Sequence, residues 1–250
     1  MQSWTKQIAI PIFVALLSMA AQSQKVTVAI SLEKNSVTLH EPVILDIDVT
    51  NPYSLSTHLD LGYDESWLSV AVRDPDGQTL NKETARREGM RFSNAVDIAP
   101  GASRVVMVLL NDWFTFDKAG NYWIDLTAAF PSGSVLKGAQ FNTRLILAVA
   151  ARDEGKLRLT CADLVRRLRD SHTASEAILA ARALASVNDV AAIPFLAEAI
   201  ERREFAGMMI NALARLGTSK ATAALYQATQ SADPEVRNLA ESALRGLSPK

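Results

Sequence analysis

With 250 residues, the chain has room for one large domain or two of ordinary size. An apolar share of 48% and a charged share of 21% exclude a disordered chain. A formal net charge of -1 offers no basic surface for nucleic acid or an anionic membrane.

The first stretch has the layout of a secretory signal peptide. Lys6 supplies a positive start, and Ile8 to Ala15 with Leu16, Leu17, Met19, Ala20 and Ala21 supply an apolar core. Ala21-Gln22-Ser23 then fits a small-x-small cleavage site before Gln24. The rival reading is an uncleaved anchor. The apolar run is shorter than the ~20 residues that cross a bilayer, and Pro11 interrupts it. The expectation is therefore a cleaved signal over residues 1–23, export to the periplasm or medium, and no membrane span afterwards.

From Lys25 onward the apolar residues alternate with period two. Val26, Val28, Ile30 and Leu32 share one strand face, and Val43, Leu45, Ile47 and Val49 share another after the turn at Asn35-Ser36. Ile44, Asp46, Asp48 and Thr50 occupy the opposite side of that second strand. Asn51-Pro52 stops it, because proline cannot donate to the ladder. Trp67 to Val72, Phe92 to Ile98, Val105 to Leu110, Tyr122 to Ala128 and Phe141 to Val149 read as further strands, separated by turn clusters. One cluster is Asp74-Pro75-Asp76-Gly77. In the segment from Trp113 to Trp123, Gly120 is placed to take a positive φ ahead of a strand that alternates through Tyr122, Ile124 and Leu126.

That grammar predicts a β-sandwich over 24–150. Together with Leu39-His40-Glu41-Pro42-Val43 and Val49-Thr50-Asn51-Pro52, the segment 113–123 resembles Ig-like modules of bacterial surface proteins. Macroglobulin-type domains and the small Ig-like proteinase inhibitors of bacilli share the pattern. The resemblance implies a fold and carries no activity.

Ala151 to Gly155 is charged, and the period then changes to 3.6, which places a hinge over 151–156 and helices over 157–250. Starts are marked at Thr173-Ala174-Ser175-Glu176, at Asp189, at Thr218 after Gly217, and at Asp233-Pro234-Glu235. The implied helices are 157–169, 174–187, 190–202, 204–216, 219–230 and 234–247. Ala183-Leu184, Ala212-Leu213 and Ala243-Leu244 recur 29 and then 31 residues apart, so the helices pair into repeated hairpins that must stack to bury their seams. A generic helical bundle is the alternative.

Asp233 to Leu244 (Asp-Pro-Glu-Val-Arg-Asn-Leu-Ala-Glu-Ser-Ala-Leu) is similar to the signature of HEAT repeats, and the ~30-residue period resembles the short form found in phycobilisome bilin lyases. The resemblance covers about 171–247 and implies an α-solenoid of HEAT-like hairpins. It carries structural roles onto Asp233, Val236, Arg237, Ala240, Ala243 and Leu244. Asp233 would tie the turn and Arg237 would brace the next hairpin. The earlier units depart from the pattern at Phe205-Ala206. Rigid docking of the first helix on the sandwich is also expected, since that end of the array would otherwise lack a cover.

Chemistry is harder to find. His40, His58 and His172 are scattered, and the nearest approach to a metal cluster is His58 with Asp60, Asp64 and Glu65, a composition that more often belongs to a solvated loop. Asp74-Pro75-Asp76-Gly77 has a fragment of a calcium loop without its other ligands. Cys161 is the single cysteine and falls on the apolar stripe of Leu157, Leu164, Val165 and Leu168, so it reads as core rather than nucleophile. No catalytic residue, cofactor site or metal site is assigned, and the chain reads as a non-enzyme.

The leading expectation is an exported interaction or scaffold module of the bacterial cell envelope with an unknown protein partner. Asn211, Arg215, Arg237, Glu241 and Arg245 are its candidate contact residues. Two others compete. One is an inhibitor or sensor of an extracellular protease acting through the polar loop 81–91, which carries Arg86, Arg87 and Arg91. The other is a lyase-like enzyme by analogy with the bilin lyases.

Overall fold

The computed structural model describes residues 27–59, 67–82, 96–129 and 140–247. The proposed signal at 1–23 and most of the loop 81–91 lie outside these residues, as do Asp60, Asp64 and Glu65.

Alternation becomes two facing sheets. The first is β1 (Thr27–Leu32), β3 (Ile44–Thr50) and β7 (Ser103–Leu109), in the order β1-β3-β7 and antiparallel throughout. The second is β2 (Ser36–Thr38), β9 (Gln140–Ala150), β8 (Gly120–Ala129) and β5 (Leu68–Arg73), in the order β2-β9-β8-β5. A ribbon of β4 (Thr57–Leu59) and β6 (Val96–Ile98) stands apart. The segment read as a turn at Asn35-Ser36 instead crosses between sheets, because β2 pairs parallel with the end of β9. Strand-switching of this kind closes a sandwich at its edge, and it fits the Ig-like expectation. Leu45, Ile47 and Val49 meet Tyr122, Ile124, Leu126 and Leu147 in one core, all 2% exposed or less.

A second Ig-like hallmark sits at the entry to β8. The Tyr122 hydroxyl donates to the Lys118 carbonyl at 3.1 Å and accepts from the Lys118 amide at 3.0 Å, the geometry of a tyrosine corner. Gly120 makes that corner possible. Its φ is +138°, and a Cβ there would lie 2.7 Å from the Pro75 ring. Gly120→Ala is expected to cost about 2 kcal/mol or more, from strain and overlap together, read as a lowered midpoint in urea.

The helices are α1 (Glu154–Asp170), α2 (Ala174–Ser186), α3 (Ile193–Ala199), α4 (Ala206–Leu216), α5 (Ser219–Ala228) and α6 (Pro234–Leu247). α1 begins earlier than the period suggested. Asp153 accepts a hydrogen bond from the Lys156 amide at 3.0 Å, so the connection expected over 151–156 shrinks to 151–153. The other caps fall where the sequence placed them. Thr173 accepts from the Glu176 amide, Asp189 from Ala191, Thr218 from Ala221 and Asp233 from Glu235, while Gly217 ends α4 in the left-handed region.

Paired alanines let the hairpins close. Ala180, Ala181, Ala183, Leu184, Ala212 and Leu213 are all nearly inaccessible. Aligning the Ala-Leu seams puts Glu241 where Ala181 and Ile210 are buried, and Arg245 where Ala185 is buried. Glu241 and Arg245 are exposed and 3.8 Å apart, so the third hairpin carries a polar outer face of the kind that ends an array. The apolar residues along α6 are accordingly only partly covered. Val236 and Ala240 are buried, whereas Leu239 and Leu247 are each 37% exposed.

Candidate functional site

The most structured meeting of side chains is the junction of the two halves. Ile44 on β3 and Leu109 on β7 are register partners on the outer face of the first sheet. They belong to the helical core, not the sandwich core, and pack with Leu157, Leu164 and Ala180. The sheet thus covers the face of the first hairpin that a preceding repeat would cover in a longer array. Period alone could not show this, because Ile44 reads as one apolar residue on a polar face.

Polar contacts fix the same junction. Glu41, 5% exposed, accepts from the Lys34 ammonium at 2.6 Å, the Thr38 amide at 2.9 Å and the Thr160 hydroxyl at 2.7 Å. Burial alone would raise its pKa. Lys34, Thr38 and Thr160 outweigh burial and hold the carboxyl below its ordinary value. Thr38 Oγ1 donates to the Ala151 carbonyl and accepts from the Asp153 amide, which pins the connection to β2. Arg152 then forks onto Asp189 at 2.6 and 2.9 Å, tying the connection to the second hairpin. Arg167 joins Glu33 at 2.5 Å, and Arg182 joins Asp112.

A cleft of about 290 Å3 opens beside these contacts, between the first sheet and the α1–α2 hairpin. Ile44, Met107, Leu164 and Leu179 give it an aliphatic lining, with Arg166, Arg167, Asp170 and Glu176 around it. Met107 is the register partner of Asp46, and Asp48 follows on the same sheet face. Burial raises the Asp46 pKa, and the nearby Glu33 carboxylate adds to the rise while Arg167 opposes it. Among the described residues, Asp48 Oδ1 and Glu33 Oε2 are shielded from solvent with no hydrogen-bond donor.

The candidate contact residues divide by what they do. Asn211 and Arg215 lie on α4, and Arg237, Glu241 and Arg245 on the adjacent α6. Arg215 donates to the Ala185 carbonyl at the end of α2, across hairpins. Arg237 was expected to brace the next hairpin. It donates instead to the carbonyls of Ser231 and Ala232 at 2.7 and 3.0 Å, closing its own turn. Cross-hairpin braces among the described residues include Arg215, Arg202 onto the Leu168 carbonyl at 3.1 Å, and Arg203 onto Asp233 at 2.9 Å. A guanidinium meeting carbonyls at a helix end is favoured by the helix dipole as well as by the hydrogen bond.

The remaining chemical candidates find structural partners. Asp74 accepts from the amides of Asp76 and Gln78, and Lys118 Nζ lies 2.6 Å from both Asp74 and Asp76, so an ammonium sits where the calcium-loop fragment would need its ion. His58 pairs with Asp97 across the β4–β6 ladder at 2.8 Å. Cys161 is fully buried, and burial pushes its thiol up to about 12, a rise to which Asp189 and Glu41 contribute. The native protein is expected to leave a thiol reagent such as Ellman's unreacted at pH 8 and to consume one equivalent in urea. Rapid labelling before unfolding would contradict this burial.

A family model for HEAT repeats matches residues 161–245. The matched segment spans most of α1 through α6 and includes the departing units as well as the signature-like stretch at 233–244. No curated protein matches the chain. Solved structures similar to about half of it include the CARDB domain of a Pyrococcus furiosus protein, at 17% identity over 51% of this chain and 94% of that chain, TM-score 0.28. Another is the Bacillus subtilis sporulation control protein Spo0M, at 14% identity over 57% and 55%, TM-score 0.28. A β-glucosidase from Listeria innocua matches at 10% identity over 50% of this chain and 16% of the enzyme, TM-score 0.28. Among the described residues no helix is long and apolar enough to cross a membrane, and no group of three or more potential metal ligands gathers.

Proposed function

We propose that the protein is a noncatalytic protein-interaction module, exported to the bacterial cell envelope or medium. The observation that carries the interaction reading is a HEAT array mounted on a sandwich through a shared core. HEAT hairpins present a continuous stacked surface suited to protein contacts, and the docked sheet gives that surface a fixed relation to the sandwich. Export rests on the layout of residues 1–23. The short period that resembles bilin lyases supports the repeat class and brings no catalytic residue with it.

The test uses the full chain with a photo-crosslinking amino acid at Asn211 or Ser242 on the second helices, or at Arg144 on the open face of the second sheet. One protein captured from the first two positions and not from the third is the expected result. Equal, diffuse capture from all three positions would remove the interaction reading. N-terminal sequencing of the mature chain tests export separately, with Gln24 expected as the first residue.

A further inference from the structure

We infer that the junction cleft and the adjoining outer face of the first sheet dock an extended segment of a protein partner, one carrying an aliphatic side chain and, two residues on, an arginine or lysine. This rests on the interaction-module reading and names the partner chemistry for one surface.

The cleft supplies the aliphatic half. Its about 290 Å3 is bounded by Ile44 and Met107 from the sheet and by Leu164 and Leu179 from α1 and α2. That space lies at the lower limit of small-molecule sites, about 300 Å3, and holds an aliphatic side chain together with the backbone that carries it. Aliphatic walls contributed by both halves also hold their shape only while the halves stay docked.

The sheet supplies an acidic half, Asp46 and Asp48, and among the described residues the Arg167 charge near Asp46 forms no salt bridge with it. Arg166 is already paired with Asp163, and Arg167 with Asp163 and Glu33. Asp46 sits beside Met107 in the ladder, and Asp48 lies two residues further along the same face. Among the described residues neither accepts a hydrogen bond, and one Asp48 oxygen is cut off from water. A carboxylate with restricted hydration is costly, and a guanidinium or ammonium relieves it by pairing with the carboxylate oxygen that remains accessible. The rise in the Asp46 pKa points the same way. Side chains i and i+2 of an extended segment emerge on one face, roughly 6–7 Å apart, which matches the step from the cleft to these carboxylates.

The experiment follows the Met107 methyl signal of the full, uniformly methyl-labelled chain, assigned through Met107→Leu. The probes are seven-residue glycine–serine peptides. One carries leucine and, two positions on, arginine; the control has glutamate in place of arginine. A saturable shift is expected with the arginine peptide, at least fivefold weaker with the control. It should also be at least fivefold weaker against Asp46→Asn/Asp48→Asn. That variant should melt no lower than the parent, because it removes two unpaired charges. Equal affinity for both peptides, unchanged binding by the variant, or no shift at millimolar peptide would each overturn the proposal. So would a concentration-dependent dimer that shifts Met107 unaided, since it would give the cleft to a second copy. If the peptides fail while crosslinks from Asn211 still capture one protein, the docking proposal falls and the interaction reading stands.

Discussion

Leu109→Ala is expected to destabilise the sandwich and the helical array together, by about 3 kcal/mol. Leu109 is 1% exposed and belongs by position to β7 but by contact to the helical core. Removing it leaves a cavity between the halves, bounded by elements of both, which cannot collapse without moving one half against the other. The composition supplies separate probes. Trp67, Trp113 and Trp123 lie in the sandwich and no tryptophan lies in the helices, so in the chain beginning at Gln24 fluorescence reports the sandwich, whereas ellipticity at 222 nm reports the helices. In the parent chain the two signals should lose their structure at one urea concentration, and in Leu109→Ala at one lower concentration. A variant in which only ellipticity moves would mean that the halves fold independently. Leu109→Asp should go further and separate the two transitions, because it places an unpaired charge in the shared core.

Glu41→Gln is the second large effect, at about 2–3 kcal/mol near neutral pH. The carboxylate is buried with three donors, two of them from its own half and one, Thr160, from α1. Its amide replacement keeps the shape, lacks the charge that answers Lys34, and turns a donor toward a cluster built of donors. The pH dependence has a definite sign. Burial pushes the Glu41 pKa up, but Lys34, Thr38 and Thr160 bring it below the ordinary 4.5. The folded state therefore holds its proton less tightly than the unfolded one. The stabilisation is present above the unfolded pKa and is lost as pH falls through the folded value. Glu41→Gln should accordingly flatten part of the acid limb of the stability curve below about pH 4.5. An acid limb identical to that of the parent would mean that Glu41 does not titrate with unfolding. Asp189, held low chiefly by Arg152, should contribute a separate share of the same limb.

These two residues also show where reading the chain residue by residue stops. Glu41 follows His40 in a stretch recognised only as strand–turn grammar, and nothing local announces a buried carboxylate. Its partner Thr160 is 119 residues away. Arg237 teaches the complementary lesson. The signature correctly placed it near a turn, yet its reach was decided by which carbonyls the folded chain presented, and those belong to its own hairpin. Arg215 makes the cross-hairpin contact that had been assigned to Arg237, from a unit that departs from the signature. The candidate contact surface shrinks as a result, because Arg215 and Arg237 spend their guanidiniums on the fold.

Local pattern was sufficient for everything set by neighbours a few residues apart. The period of two placed β3, β5, β8 and β9 to within a residue or two. The period of 3.6, the seams and the N-caps at Thr173, Asp189, Thr218 and Asp233 placed the helices, since each cap needs only an amide two or three positions away. The division into a sandwich and a repeat array followed from the change of period near residue 151. Only the folded chain could decide that β2 joins the second sheet, that Ile44 and Leu109 serve the helical core, and that Asp46 and Asp48 stand unpaired beside a cleft. Those outcomes depend on contacts across long separations, where periodicity carries no information and packing chooses the partner.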